Sequence, residues 1–241
     1  MPLLNAAFYR FAPWPGFREA KAPLSAACRE LGLRGTILLA PEGINGSVCG
    51  EKASVRELVA RIRRMPEFQD LESKESWSET PSFKRMKVRL KREIIAMGDV
   101  EVDPLEGTGA RLAPDELRRW LDEGKEVLLV DTRNRFEVEA GTFSGALDLG
   151  LDHFHDFPAR LDQVRECAGG RPIVMFCTGG IRCEKATALA IDRGLRDVYQ
   201  LEGGILRYFE RCGGRHFVGE CFVFDERERL EPTLVPSGKA C

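Results

Sequence analysis

Residues 172–190 constrain the fold of this chain more than any other stretch. The apolar run Ile173–Phe176 leads to Cys177, a glycine-bearing loop follows, and strong helix formers continue after Arg182. This order predicts a buried strand, a tight loop and the start of a helix. The backbone N–H groups of such a loop converge at the helix N-terminus, where the helix dipole also favours negative charge. We therefore expect a stabilised, reactive thiolate at Cys177.

The spacing between the cysteine and the arginine of the loop restricts the kinds of reaction that the loop can support. Four residues separate Cys177 from Arg182, which resembles the active loop of rhodaneses, whereas cysteine phosphatases have one residue more and a wider cradle. The narrower loop suits a persulfide sulfur, and Arg182 is placed to orient the loop or a bound anion. The alternative, a buried cysteine that only fills space, is disfavoured because the strand, the glycines, the arginine and the helix together match the pattern of an active-site loop. The predicted active-site loop comprises Thr178, Gly179, Gly180, Ile181 and Cys183.

The remaining thiols and imidazoles do not predict a metal or cofactor site. The eight cysteines include no C-x-x-C pair, so we interpret them as free thiols of a cytoplasmic protein. Cys183 is expected to pack as a small residue under the loop; the alternative is a resolving thiol or second sulfur carrier. The three histidines are too few and too poorly spaced to predict zinc. No metal and no cofactor is therefore expected.

Composition excludes several classes of protein. The chain has 241 residues, 43% of them hydrophobic and 31% charged, which predicts a soluble protein of one or two domains. The formal net charge of -2 excludes a generally basic nucleic-acid binder, although a local basic patch remains compatible. No apolar run is long enough to span a membrane, and the first residues lack the features of a signal peptide.

Residues 1–97 are expected to form a first domain of the ferredoxin-like kind. Strand patterns and helix patterns occur in the order strand, helix, strand, strand, helix, strand, which fits a split βαβ arrangement. The predicted strands cover residues 3–11, 34–40, 44–49 and 86–95, and the predicted helices cover residues 22–31 and 51–65.

The last of these strands carries a row of cations. Met86, Val88 and Leu90 alternate with basic residues, so a strand would place a core face on one side and positive charge on the other. The pattern alone favours a solvated sheet face with cations paired to acids. The alternative is a surface that binds nucleic-acid phosphates. The candidate nucleic-acid-binding residues are Arg85, Lys87, Arg89, Lys91 and Arg92.

An acidic, glycine-rich linker at residues 98–112 is expected to precede a parallel α/β domain at residues 113–225, followed by a tail at 226–241. Ligands in such sheets bind beyond the carboxyl ends of strands. Asp131, Arg133 and Glu137 should therefore lie near Cys177. Asp131 and Arg133 either pair and brace the loop or act directly. The turn at Glu202 and Gly203 should form another wall of the pocket.

Together these motifs resemble the oxygen-dependent tRNA uridine hydroxylases. The rhodanese half of that family is matched by DTRN at 131–134, CTGGIRCEK at 177–185 and YQLEGGI at 199–205. Its acylphosphatase-like half is matched by GTILLAPEGING at 35–46 and FKRMKVR at 83–89. The resemblance implies 5-hydroxylation of the wobble uridine, in the tRNA anticodon loop, with molecular oxygen as co-substrate. It also implies that Cys177 is the nucleophile, directly or as a persulfide.

Two other functions stay open at this point. In a plain sulfurtransferase, Cys177 would take sulfane sulfur from a sulfur donor, thiosulfate or a protein persulfide, and pass it on. In a non-catalytic RNA-binding protein, the intact Cys177 and Arg182 would have no purpose. Sulfur transfer alone does not need the 42–46 loop or the basic strand, so these features favour the hydroxylase.

Overall fold

The structure is a computed structural model that describes residues 2–234. The chain divides into two compact units. Of the described residues, the first unit consists of 2–96 and 224–227, and the second of 97–223 and 228–234. Within residues 2–234, no helix has both the length and the apolar character needed to cross a membrane.

The first unit is a five-stranded sheet with two main helices. Its elements are β1 (Leu3–Phe11), α1 (Lys21–Glu30), β2 (Arg34–Ala40), β3 (Gly43–Gly50), α2 (Lys52–Arg63), β4 (Ser73–Ser78) and β5 (Met86–Leu90). Short 3₁₀ turns occur at Pro15–Phe17 and Pro66–Phe68. The strand order is β4-β1-β3-β2-β5, in which only the β2–β5 pair is parallel.

This topology confirms the ferredoxin-like class and corrects one strand assignment. The first four strands alone give the split βαβ order, and β5 is an extra strand at the edge beside β2. The predicted strand at 86–95 is therefore not the closing strand of the motif. That strand is β4, whose sequence SKESWS is too polar to show the apolar alternation on which the prediction relied.

The core of the first unit follows from residue spacing. In α2, Val55, Leu58, Val59 and Ile62 recur at helical spacing, and all four are buried against the sheet core. Full burial of each such side chain contributes about 1.5–3 kcal/mol. The residues Met86, Val88 and Leu90 of β5 pack against the same core.

The second unit is a parallel α/β domain, as expected. Its main elements are β6 (Ala110–Leu112), α3 (Pro114–Asp122), β7 (Leu128–Asp131), α4 (Arg135–Ala140), β8 (Gly141–Phe143), β9 (Leu147–Asp148), α5 (Leu161–Ala168), β10 (Ile173–Phe176), α6 (Ile181–Asp192), β11 (Val198–Leu201), α7 (Gly204–Cys212), β12 (Phe217–Gly219), β13 (Cys221–Phe222) and β14 (Arg229–Leu230). A 3₁₀ segment at Phe154–Arg160 precedes α5.

The five-stranded sheet of this unit has the order β6-β11-β10-β7-β9, and all of its strand pairs are parallel. β10 is central, and each of its residues is buried, as its continuous apolar sequence predicts. The edge strand β6 lies inside the segment that the sequence assigned to a linker. Three residues are too few to give a strand pattern, and the strand forms because it pairs with β11.

Candidate active site

Cys177 lies at the carboxyl end of the central strand. It follows β10 directly, and β10 is flanked by β7, which ends at Asp131, and by β11, which ends at Leu201. Because the strands are parallel, the segments after all three meet at one edge of the sheet. The chain thereby brings together the cysteine loop, residues 131–137 and the turn at 202–204.

The Cys177 sulfur is buried, and hydrogen-bond donors surround it. The backbone N–H of Gly180 donates to Sγ at 3.1 Å, from a left-handed conformation (φ 98°) at the N-cap of α6. Burial raises the pKa of the Cys177 thiol. The Cys183 thiol, the Arg182 guanidinium and the N–H groups of Arg182 and Gly180 outweigh that effect and lower the pKa to about 5. Cys177 is therefore a thiolate at neutral pH.

Arg182 is held by a buried carboxylate. Its Nη1 and Nη2 donate to Oε2 and Oε1 of Glu137 at 2.6 and 2.8 Å, and the Glu137 side chain is fully buried. Glu137 also accepts from the Thr178 hydroxyl at 3.2 Å and from the Asn134 backbone N–H at 3.1 Å. This network fixes the guanidinium beside the loop, where its charge stabilises the thiolate. Arg182 is thus fixed next to Cys177, where it can orient the loop or a bound anion.

Asp131 and Arg133 form a second buried pair. Arg133 Nε donates to Asp131 Oδ1 at 2.9 Å, and Nη2 donates to Oδ2 at 2.7 Å, with both side chains fully buried. Arg133 Nη2 also donates to the carbonyl of Gly141 at 2.6 Å, and the Thr142 hydroxyl donates to Asp131 Oδ2 at 2.7 Å. These contacts tie the end of β7 to the start of β8. The geometry favours bracing over direct chemistry.

Cys183 lies close to both Cys177 and the neighbouring strand end. It lies in the first turn of α6, and its thiol donates to the Cys177 sulfur. Its Sγ lies 3.7 Å from the Thr132 hydroxyl, which donates to the Phe176 carbonyl. Burial, and then the adjacent Cys177, raise the pKa of Cys183 well above its ordinary value. Cys183 thus fills space under the loop and is also a hydrogen-bond donor to the thiolate.

The glycine turn before α7 packs directly on the cysteine loop. The N–H groups of Ile205 and Leu206 donate to the carbonyls of Cys177 and Thr178 at 3.0 and 3.1 Å. Gly204 has φ +66°, and a Cβ there would lie 2.4 Å from the Cys177 carbonyl oxygen. Sequence reasoning chose Glu202 and Gly203 from this turn. Glu202 instead donates its N–H to the Leu112 carbonyl, and Gly203 lies against Arg207. The contacts with the cysteine loop come from Gly204 and the two residues that follow it.

A further wall of the loop comes from a segment that sequence reasoning missed. The Thr178 hydroxyl lies 3.5 Å from the carbonyl of Phe222, and the Phe222 ring meets the Phe136 ring edge to face at 5.0 Å between centroids. Cys221 is buried beside them, and burial raises its pKa to about 12. β13 has only two residues, so no periodic signal could have marked it.

The candidate tRNA-binding cations lie in the first unit. In β5, Lys87 and Arg89 alternate with the core-facing Met86, Val88 and Leu90. The interpretation that the sequence pattern alone favours, a solvated sheet face, required these cations to pair with acids. Among the residues that the structure describes, no ion pair or hydrogen bond involves the side chains of the basic set Arg85, Lys87, Arg89, Lys91 and Arg92.

The Glu42–Asn45 motif has a structural role in the same unit. The Glu42 carboxylate accepts the backbone N–H of Ile94 at 2.6 Å, and the Asn45 amide donates to the Ile94 carbonyl at 3.0 Å. A Cβ at Gly43 would lie 2.0 Å from the carbonyl oxygen of Arg10, which explains the glycine. The motif therefore anchors the chain that follows β5.

Two domain matches define the class of protein. Residues 3–94 match the UPF0176 acylphosphatase like domain, and residues 113–210 match the Rhodanese-like domain. A rhodanese-like domain from Anabaena sp. has a TM-score of 0.39 and 19% identity, and the match covers 46% of this chain and 80% of that one. On the two domain matches, the chain is an acylphosphatase-like domain followed by a rhodanese domain.

Full-length relatives identify the family. A protein of Thiobacillus denitrificans named tRNA uridine(34) hydroxylase is 49% identical over 243 residues, which cover 99% of this chain and 98% of the relative. A protein of the same name from Burkholderia mallei is 47% identical, over 98% of this chain and 82% of the relative. The chain belongs to the tRNA uridine(34) hydroxylase family, which confirms the resemblance found in its motifs.

Proposed function

We propose that this chain hydroxylates C5 of the wobble uridine, position 34, in tRNA, with molecular oxygen as co-substrate and Cys177 as nucleophile. The observation that carries the proposal is the placement of the Cys177 sulfur, which accepts the Gly180 N–H at 3.1 Å and is stabilised as a thiolate by Cys183, Arg182 and Gly180. The chain that holds it is 49% identical to a protein of that name. We place the activity in the cytoplasm, where tRNA is used.

The chemistry needs a nucleophile of this kind. The C5 atom of uracil is a poor site for oxidation until a nucleophile adds to C6 and shifts electron density onto C5. A thiolate suits that addition, since it is ionised at neutral pH and easily polarised. Formation of the S–C6 bond places negative charge on C5, which bonds to one atom of O2; the other oxygen atom leaves as water, with two electrons supplied by an external thiol reductant that becomes a disulfide. Loss of the C5 proton with cleavage of the S–C6 bond then restores the ring and the Cys177 thiolate. A Cys177 persulfide, loaded from a sulfur donor, would supply the same nucleophilic character through its outer sulfur.

The two buried ion pairs have positioning roles in this scheme. Arg182 keeps the thiolate charged, and Glu137 keeps Arg182 in place. Asp131 and Arg133 hold the neighbouring strand end rigid. Catalytic geometry depends on such fixed groups, because misplacement of the nucleophile by about 1 Å can cost 10²-fold in rate.

RNA binding requires a positively charged surface, and the overall charge of the chain does not provide one. With a net charge of -2, the chain has no general attraction for a polyanion. The row Lys87, Arg89 and Lys91 supplies local positive charge, and its side chains are not committed to carboxylates among the described residues. We assign phosphate contacts to this row and chemistry to the rhodanese domain.

Sulfur transfer is the second candidate, favoured by the match of residues 113–210 to the Rhodanese-like domain. Mass spectrometry of wobble nucleosides from cells with and without this protein separates the two. We expect 5-hydroxyuridine and its derivatives to disappear without the protein and to return with the wild-type chain. Unchanged hydroxylation, together with thiosulfate-to-cyanide sulfur transfer by the purified chain, would support the sulfurtransferase instead.

A further inference from the structure

Two phenylalanine rings lie beside the cysteine loop, and one of them is strongly exposed. Phe136 lies on α4 and is 44% exposed, and Phe222 on β13 meets it edge to face with an interplanar angle of 82°. We call Phe136 and Phe222 the aromatic shelf. A single exposed apolar residue needs no explanation, so the surroundings of the shelf decide whether it has a function.

The shelf is connected to the catalytic loop through one side chain. Thr178, next to Cys177, donates to Glu137, the chain neighbour of Phe136, and its hydroxyl also lies 3.5 Å from the Phe222 carbonyl. The loop therefore bridges the two segments that carry the rings. Any substrate that reaches Cys177 past Thr178 passes residues adjacent to the shelf.

Exposed cations flank both rings. Arg135 precedes Phe136, and Arg229 is the cross-strand partner of Phe222 in the β13–β14 ribbon. The side chains of Arg135 and Arg229 are 52% and 54% exposed, although each has a carboxylate neighbour, Asp152 and Glu220 respectively. Aromatic faces interleaved with arginines are the surface that single-stranded RNA recognition uses, since bases stack on rings while cations meet phosphates.

We propose that the aromatic shelf stacks an unpaired nucleobase of the anticodon loop, next in sequence to the base that reacts at Cys177. This inference rests on the proposed function. The stacked base is the neighbour and not the reacting one because the shelf is at the surface, whereas the Cys177 sulfur is buried. Stacking of the neighbour would hold the loop splayed, so that the wobble base can leave its stack.

The test is a thermodynamic cycle on RNA binding. The affinity of an anticodon stem–loop RNA is measured by fluorescence anisotropy at one salt concentration, for the wild-type chain and for Phe136→Ala. Both are measured again with RNA that is abasic at the nucleotide on either side of the wobble position. Since a stacked base is worth about 1–3 kcal/mol, Phe136→Ala should weaken binding of the intact RNA by roughly 5- to 150-fold. For the RNA that lacks the stacked base, Phe136→Ala and the wild-type chain should have nearly the same affinity.

Matched variants separate stacking from packing. Phe136→Trp should restore binding because it retains a π-face, and Phe136→Leu should not. Ile191→Ala removes an equally exposed apolar side chain (44%) near the other end of α6 and should bind like the wild type. Thermal melting shows that each variant is folded.

Three results would contradict the proposal that the aromatic shelf stacks a base. Additive losses from Phe136→Ala and the abasic sites would mean that ring and base do not touch. Unchanged RNA affinity for Phe136→Ala would point to a protein-docking role. Hydroxylation of tRNA by the wild-type chain is measured separately, by mass spectrometry of the wobble nucleoside. If the wild-type chain hydroxylates tRNA, either result rules out the shelf proposal alone. A wild-type chain that neither binds nor hydroxylates tRNA rules out the proposed function as well.

Discussion

The candidate active site and the basic strand β5 both contain cationic side chains, but only those of the active site are buried and paired with carboxylates. Arg182 and Arg133 are buried, and each binds a carboxylate through two nitrogens. Lys87 and Arg89 form no such pair with any residue from 2 to 234. A buried ion pair contributes little net stability, but it fixes geometry. Cations without a carboxylate partner are not fixed in this way and can contact the phosphates of a ligand.

The comparison predicts that the largest effect comes from the nucleophile itself. Cys177→Ser keeps the size of the side chain but loses the easily ionised sulfur, so hydroxylation should fall by roughly 10³-fold or more. Folding should be retained, as monitored by circular dichroism. Cys167→Ser, on α5, should hydroxylate tRNA like the wild type. A Cys177→Ser chain that hydroxylates tRNA at the normal rate would refute the role of Cys177.

The next effect is expected at the carboxylate that holds Arg182. Glu137→Gln leaves the guanidinium buried without its countercharge, which typically costs about 3–5 kcal/mol when one partner of a buried pair is removed. Both the melting temperature and kcat should fall. Glu139→Gln makes the same change at an exposed position of the same helix and should alter neither. Equal stabilities for the two variants would show that the buried pair is not the restraint inferred here.

The basic strand should control binding and leave sulfur chemistry intact. Reversal of Lys87 and Arg89 to Glu should weaken tRNA binding and flatten its salt dependence, by a slope of about 0.7–0.9 per lost phosphate contact. Persulfide formation at Cys177 from a small sulfur donor should not change. Reversal of the exposed Lys21 and Arg29 on α1 gives the same change in net charge. If both double reversals bind tRNA equally, β5 is only a solvated face.

The smallest effect is a shift in pH dependence. Cys183→Ala removes a hydrogen-bond donor to the Cys177 thiolate, so the pKa of Cys177 should rise from about 5. Activity, which in the wild type falls as pH drops through that value, should fall at a higher pH and recover under alkaline conditions. The pH profile of kcat/KM measures this directly. Cys183→Ser keeps a donor and should shift the profile less.

Stability is linked to the same ionisation. The folded-state pKa of Cys177 lies below the ordinary value of 9.0, so the stability that its ionisation contributes is present above that value and is lost as pH falls toward about 5.

The donor role of Cys183 also modifies the expectation that this residue only packs under the loop. A Cys177–Cys183 disulfide in the working enzyme would contradict both the donor role and the packing role.

Local motifs were predictable from the sequence, and long-range contacts were not. The strand, loop and helix around Cys177 follow one another along the chain, so apolar run, glycines and helix formers were enough to place them. Asp131 and Glu137 could be placed near Cys177 because parallel strands share one carboxyl edge. The contacts of Gly204, Phe222 and Cys183 with the loop depend on tertiary packing and leave no periodic signal. β4 was missed for a related reason, since its polar sequence becomes a strand only by pairing with β1.

The most direct test of the central claim is an oxygen-labelling reaction with the purified chain. Unmodified tRNA is incubated with the wild-type protein under heavy-isotope oxygen gas, and the wobble nucleoside is analysed by mass spectrometry. We predict 5-hydroxyuridine that carries the label, and none with Cys177→Ser. Hydroxyl oxygen derived from water, or product formed equally well by Cys177→Ser, would contradict the account.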